Sequence, residues 1–309
     1  MHGDAPDEPT TAMPVISFAI PYFHNVGYLL EAIESVRAQT VTNWELIVVD
    51  DAGPEPARVQ VEAIGDVRIT YVRNERNLGL ARNWNECIRL SRGPLVTVLH
   101  ADDRLLATYT ERVLTAAAAH PGAAAVFTDV NVIGPDGAPT TTMADLGKRL
   151  VRRVETDHDV VGDRGLAGLL TGNYILCPTL CMRTSVIGPD PFDPRWRFVP
   201  DLDFTVRQLL AGRTLHSVRE PLLEYRRHAT SQTSALTSDA SRFEEELSFS
   251  HWAAEQAAAL GWARAARAGR WRVLARAHMV LRVGADLAGR RVGPARQKWR
   301  ILWNDLRSR

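Results

Sequence analysis

At 309 residues the chain is long enough to bury a large core, either as one domain or as a core with an appendage. Its 37 Lys and Arg against 36 Asp and Glu leave a formal net charge of +1, which gives no general reason to expect nucleic-acid binding and leaves a small charged substrate open. The three cysteines, Cys87, Cys177 and Cys181, argue against a disulfide framework, and Cys177-x-x-x-Cys181 lacks partners for a four-ligand zinc site, so buried thiols in a reducing compartment are expected.

Residues 1–13 read as a loose leader without the basic start and apolar core of a signal peptide. No apolar run approaches the roughly 20 residues that span a bilayer. A cytoplasmic chain is expected, with peripheral membrane contact left open.

Val15 to Ile20 reads as a short buried strand stopped by Pro21, and Leu29, Leu30, Ile33 and Val36 then recur at helical spacing. Glu45 to Asp50 is a second apolar strand ending on acids. A helix near Glu55 to Ile64, a strand over Val67 to Val72 and a helix over Leu80 to Leu90 follow. Pro94 to Leu99 runs into His100-Ala-Asp-Asp103, and Leu105 is expected to begin a helix reaching Ala119. Residues 140 to 170 have weak periodicity and suit an excursion over the site. Leu202 to Leu210 reads as a helix and Leu222 to Tyr225 as a short final strand.

Short apolar strands alternating with helices predict an α/β fold with a mainly parallel sheet covered on both faces. Ligands of such sheets sit beyond the carboxyl ends of the strands. Three polar clusters fall there: Pro21 to Asn25, Asp50-Asp51, and His100 to Asp103.

Each cluster carries a chemical and a purely structural reading. Asp102-Asp103 suits a hard divalent ion that neutralises a diphosphate, or the cap of the next helix. Asp51 suits a nucleobase or ribose hydroxyl, or an ordinary acid–glycine turn. Arg76 and Arg82, flanking Gly79 before a helix, suit phosphate, or are solvated charge. In Pro200-Asp201-Leu-Asp203 one carboxylate suits a general base, while Asp203 and Arg207 are spaced for an i,i+4 ion pair. Tyr225-Arg-Arg-His228 offers positive charge and an imidazole for metal or phosphate. The glycine pattern of dinucleotide-binding folds and the phosphate-loop Gly-Lys-Ser/Thr are both missing.

In this order and spacing, the segments from about 14 to 230 resemble the family 2 glycosyltransferases. The resemblance implies a GT-A nucleotide-diphospho-sugar transferase fold for residues 14–230, followed by a helical, basic extension over 231–309. Pro21, Tyr22 and Phe23 resemble the family's nucleotide-contact loop, with His24 where many members have Asn. Asp51 is implied as the nucleobase contact, and Arg76 and Arg82 as part of the segment that closes on the donor. Leu99-His-Ala-Asp-Asp103 resembles the metal-binding region, with His100 where many relatives place Asp. Asp102 is implied on the nucleotide side and Asp103 on a divalent ion, Mn²⁺ or Mg²⁺. Asp201 is implied as the catalytic base, with Pro200 replacing a Glu. Asp203 and Arg207 are acceptor-side or structural support, Arg226 supports the diphosphate, and His228 is a further metal ligand.

The implied activity is inverting transfer from a nucleotide-sugar donor, UDP-linked by default and dTDP-linked as the alternative. The acceptor is a polysaccharide, a glycolipid or a small natural product. A nucleotidyltransferase and a catalytically silent carbohydrate- or nucleotide-sugar-binding protein are the competing readings. From Gly261 onward thirteen Lys or Arg face only Asp286 and Asp305. With Trp252, Trp262, Trp271, Trp299 and Trp303, this region is expected to pack on the core, to join copies of the chain, or to lie on anionic lipid.

Overall fold

A computed structural model of the chain describes residues 13–140, 156–228 and 240–307. The first half alternates β1 (Ile16–Tyr22), α1 (Val26–Arg37), β2 (Trp44–Asp50), α2 (Arg58–Glu62), β3 (Ile69–Arg73), α3 (Leu80–Leu90) and β4 (Leu95–Val98). Every residue of β2 and β4 is buried, as their continuous apolar runs require of strands covered on both faces. Helix α1 starts at Asn25, which takes a left-handed backbone (φ 69°) and accepts the Tyr28 amide on its side chain. Leu29, Ala32, Ile33 and Val36 form its buried face.

The chain continues through β5 (Arg104–Leu105), α4 (Tyr109–Ala119), β6 (Ala123–Ile133), β7 (His158–Val160), α5 (Gly162–Thr171), a 3₁₀ turn (Cys177–Thr179), β8 (Leu180–Arg183), α6 (Thr184–Ile187), α7 (Pro200–Leu210) and β9 (Thr214–Arg226). The strands form one sheet in the order β3-β2-β1-β4-β8-β6-β9-β5, with β7 also paired to β9.

Pairing from β3 to β4 is parallel. Beyond β4 the mainly parallel expectation gives way to a mixed half. There β8 runs antiparallel to both β4 and β6, β6 pairs parallel to β9, and β5 and β7 run antiparallel to β9.

Three local expectations are corrected. Leu105 belongs to a strand because Arg104 and Leu105 pair with Glu224 and Leu223, and the helix waits until Tyr109. The final strand spans Thr214–Arg226, since its polar first half is paired to β6 and β7 rather than exposed. Residues 141–155 of the expected excursion lie outside the described residues. The remainder of it supplies β7 and α5, whose Leu166, Leu169 and Leu170 are fully buried. Gly162, Gly165 and Gly168, poor helix formers, obscure their i, i+3, i+4 spacing in the sequence.

Four helices close the chain: α8 (Ser241–Ala259), α9 (Ala263–Trp271), α10 (Val273–Ala288) and α11 (Val292–Arg307). Phe249, Ala253 and Ala257 of α8 and Ala265 and Ala266 of α9 share one apolar core with α5 and with Phe204 and Leu209 of α7. Residues Phe243, Leu247, Met279, Ile301 and Leu302 form a smaller core that joins α10 and α11 to α8. Trp252 and Trp262 pack partly against the larger core, whereas Trp271, Trp299 and Trp303 are exposed. Among the described residues no helix is long and apolar enough to cross a membrane. All three cysteines are buried and unpaired, and burial pushes the Cys181 thiol up to about 12.

The ends of β1 and β2 come so close that a Cβ on Gly53 would lie 1.7 Å from the Phe23 carbonyl oxygen. Backbone cannot yield as a flexible side chain does. Gly53→Ala is therefore expected to destabilise the fold by about 2 kcal/mol or more. Urea unfolding checks this, and an unchanged midpoint would show that the two strand ends are not held against each other.

Candidate active site

Since β1 lies between β2 and β4 and parallel to both, Tyr22, Asp50 and Val98 all end at one edge of the sheet. The three polar clusters singled out in the sequence share that edge. A fourth arrives from β9. The β5 pairing with Leu223 and Glu224 sets residues 226 to 228 beside the Asp102-Asp103 turn.

Asp103 is fully buried. Its Oδ1 accepts the Arg226 backbone amide at 2.8 Å, and its Oδ2 has no hydrogen-bond partner among the described residues. Asp102 is partly exposed, and its Oδ2 lies 2.8 Å from His228 Nε2. His100 Nδ1 is 3.7 Å from Asp103 Oδ2, and His100 Nε2 is also buried without a partner. Ligating atoms of His100, Asp102 and Asp103 lie within 4.8 Å of one another.

Electrostatics separates the two carboxylates. Burial, and then the Asp102 charge, push the Asp103 carboxyl well above the usual range. Burial also works against ionisation of Asp102, but the His228 hydrogen bond and the charges of His100 and His228 outweigh it, and its carboxyl falls below the usual range. Both carboxylates belong to the group that could hold an ion, and they differ in exposure. Asp102 is the carboxylate that faces solvent and His228, while Asp103 sits behind it with one oxygen committed to the backbone.

Arg226 was expected to serve a diphosphate, but its guanidinium is spent inside the protein. Nε donates to the Asp102 carbonyl (2.8 Å), Nη1 to the Pro135 carbonyl (3.0 Å) and Nη2 to Glu31 (2.5 Å). It also stacks over the Tyr28 ring at 4.4 Å and is 2 % exposed. Tyr28 and Glu31 went unnoticed in the sequence. Their i,i+3 spacing on α1 puts them on one face, but nothing local shows that the face meets residue 226.

Tyr22 is another correction. It is 1 % exposed, packs in the core with Phe18 and Leu29, and donates its hydroxyl to the Glu55 carbonyl at 2.6 Å. Strand alternation turns it inward, leaving half-buried Pro21 and exposed Phe23 and His24 at the edge.

The Asp51 carboxylate is occupied by the loop after β3. Asp51 accepts the Leu78 and Gly79 amides at 2.7 and 2.9 Å and the Asn74 side chain at 2.9 Å. It braces that loop and is 5 % exposed. Arg76 is exposed on the same loop. Arg82 lines a cleft of ≈ 530 Å³ with Leu78, Asp193 and Arg207.

Asp201 is half-buried in the first turn of α7, and its Oδ1 accepts the Leu202 amide at 2.8 Å. Burial is the main reason the Cys177 thiol is raised, with the charges of the Asp201 and Asp103 carboxylates adding to it. Asp203 is buried and ion-paired to Arg207 at 2.8 Å, the i,i+4 arrangement its spacing allowed. Aromatic packing links α7 to the carboxylate turn. His100 stacks on Trp84 (5.2 Å), Trp84 meets Phe192 edge-on (5.0 Å), and Phe192 meets Phe204 of α7 (5.6 Å).

The sequence profile of Glycosyl transferase family 2 matches residues 17–171, half of the chain. The putative colanic acid biosynthesis glycosyl transferase WcaA of Escherichia coli K12 is 37% identical over 92 residues, 29% of this chain and 33% of that protein. The putative teichuronic acid biosynthesis glycosyltransferase TuaG of Bacillus subtilis 168 is 27% identical over 220 residues, 70% of this chain and 81% of that protein. Among solved structures, S. aureus TarS 1–349 in complex with UDP-GlcNAc shares the fold, with a TM-score of 0.60 at 17% identity over 78% of this chain and 66% of that one. The match to WcaA thus spans about a third of that relative.

Because the native carboxyl of Asp103 is raised, folding takes up a proton there. The stability it contributes is full below the unfolded value of about 3.9 and is lost as pH rises through the higher native value. Asp103→Asn keeps the shape and the acceptor oxygen but cannot ionise. In EDTA, wild type should lose stability relative to Asp103→Asn as pH rises from about 4 to about 8. Urea midpoints measured across that range check this, and parallel pH profiles would contradict it.

Proposed function

Given that the chain belongs to glycosyl transferase family 2, we propose that it transfers a sugar from a nucleoside-diphosphate sugar to a hydroxyl acceptor with inversion at the anomeric carbon. The observation that carries the reading is the convergence of four segments at one sheet edge, where Asp102 faces His228 and an aromatic chain from His100 through Trp84 and Phe192 reaches α7, the helix that Asp201 leads. A UDP-sugar donor is favoured, supported by the UDP-GlcNAc complex of the TarS neighbour, with a dTDP-sugar as the alternative. The acceptor is a growing polysaccharide, a glycolipid or a natural product. Polysaccharide assembly is supported by the colanic and teichuronic acid relatives.

The donor set fits a divalent ion, Mn²⁺ or Mg²⁺. Asp102 and His228 would hold it from the open side, and the partnerless oxygen of Asp103 lies behind them. When bound, such an ion supplies positive charge against the departing diphosphate. Asp51 holds the loop that carries Arg76, and this loop with Pro21 and Phe23 forms the nucleotide side of the site.

In the transfer step, the acceptor oxygen forms a bond to the anomeric carbon while the carbon–oxygen bond to the diphosphate breaks. Asp201 takes the acceptor's proton, and no covalent enzyme intermediate is needed. The first turn of a helix suits this role, since its amide dipoles favour the ionised base. Asp201→Asn is expected to lower kcat by about 10²- to 10⁴-fold while donor affinity is kept. Measured turnover with calorimetric donor binding decides, and wild-type kcat would remove Asp201 from the step. Release of nucleoside diphosphate rather than pyrophosphate separates sugar transfer from nucleotidyl transfer.

The C-terminal pair α10 and α11 supports a peripheral membrane contact. A groove of ≈ 800 Å³ between them is lined by Leu287, Val292, Trp299 and Trp303, with Arg296 and Arg300 at its border. The two acids of this region are neutralised within it, Asp286 by Lys298 and Arg291, and Asp305 by Arg276. Its outer surface is therefore basic and apolar, the combination that anionic lipid binds. Full-length protein should co-sediment with phosphatidylglycerol vesicles at low salt, and Trp299→Ser with Trp303→Ser should weaken this at least fivefold. No sedimentation, or dimerisation lost in the same variant, would assign the face elsewhere.

A further inference from the structure

A second group of metal-ligating side chains sits at the opposite end of β9 from the carboxylate edge. Asp159 of β7 and His216 of β9 are directly opposed in the antiparallel pair, so their side chains leave the sheet on the same face. His216 Nδ1 lies 2.7 Å from Asp159 Oδ1. His120 comes from a third element, the C-cap of α4, and its Nδ1 is 3.6 Å from the same oxygen. The two imidazoles stack at 3.5 Å between centroids, 21° from parallel. One ligating atom from each of the three residues lies within 4.8 Å of the other two. Ten residues of strand separate His216 from Arg226, so this cluster is roughly 30 Å from Asp102.

The backbone holding these groups is fixed. His120 N–H donates to the Ala116 carbonyl, and the His120 carbonyl accepts the Ala123 amide. Arg183 ties down the same turn by donating to the carbonyls of Ala117 and Ala123. His216 is almost fully buried, while the side chains of His120 and Asp159 are 37% and 46% exposed. The cluster therefore has a rigid wall and an open side.

Two imidazoles and a carboxylate are a borderline donor set suited to Zn²⁺. Ligands about 2.0–2.2 Å from a tetrahedral ion stand about 3.3 Å apart. The observed 2.7 and 3.6 Å bracket that spacing. Stacked rings this close repel if both are protonated, and because their planes are nearly parallel, the part-exposed His120 ring would turn about its side-chain torsions to aim Nδ1 at an ion held between His216 Nδ1 and Asp159 Oδ1. We propose that His120, Asp159 and His216 form a zinc-type site, completed by water on the open side, that pins the three-residue strand β7 to the end of α4. The site is structural, and it stands whether or not the transfer reaction assigned to the other edge is correct.

The probe is Co²⁺ titrated into tag-free full-length protein carrying Asp102→Asn, which weakens ion binding at the other edge. Expected are visible absorption bands of a four-coordinate nitrogen–oxygen site saturating at one equivalent, displacement of those bands by Zn²⁺, and a higher Tm with Zn²⁺. Adding His120→Gln, at an exposed position, should weaken Co²⁺ binding at least tenfold with circular dichroism unchanged, and His216→Gln should remove it. Octahedral spectra only, or equal affinity with and without His120, would overturn the proposal.

Discussion

The end of β9 governs the candidate site. Its last residue, Arg226, gives its backbone amide to Asp103 and its guanidinium to the Asp102 carbonyl, to Pro135 and to Glu31. One buried residue thus joins the carboxylate turn after β4, the loop after β6 and helix α1. A buried guanidinium tolerates this only with its donors satisfied, so the three segments are fixed relative to one another. His228, two residues further on, then reaches Asp102 at 2.8 Å.

Around that junction the polar residues divide into those that hold and those that face the opening. Asp50 accepts from Tyr71, Arg73 and Gly53, and Asp51 braces the loop at Leu78 and Gly79. Asp103 and Asp203 are likewise inward. Asp102 and Asp201 are the members of the three acidic clusters that keep exposure. In each cluster the carboxylate turned inward builds the frame. In the second and third of them its neighbour is left at the edge.

Beyond the sheet, basic charge accumulates in the helices that are farthest along the chain. Helices α8 and α9 add alanine-rich faces to the main core, so their contribution is packing. Helices α10 and α11 keep Trp299 and Trp303 outside while Lys298 and Arg276 turn inward to pair with acids. Composition alone suggested a uniform basic tail. The fold instead separates buried ion pairs from an apolar, arginine-edged surface.

The sequence by itself determined the alternation of β1 to β4 with their helices, because continuous apolar runs and 3.6-residue spacing are local signals. It also marked the polar ends of those strands, and the family resemblance ordered them. Tertiary structure alone decided that Asp102 and Asp201 keep exposure while Asp50, Asp51, Asp103 and Asp203 turn inward, that Arg226 is a brace, and that Tyr22 is core. Those outcomes depend on partners far along the chain, such as Glu31 for Arg226 and Glu55 for Tyr22. The same holds for His120, Asp159 and His216, which are scattered in sequence and meet only because β7 pairs with β9 beside the end of α4. Residue spacing encodes which face of an element a side chain occupies. What stands opposite that face is fixed only when the sheet closes.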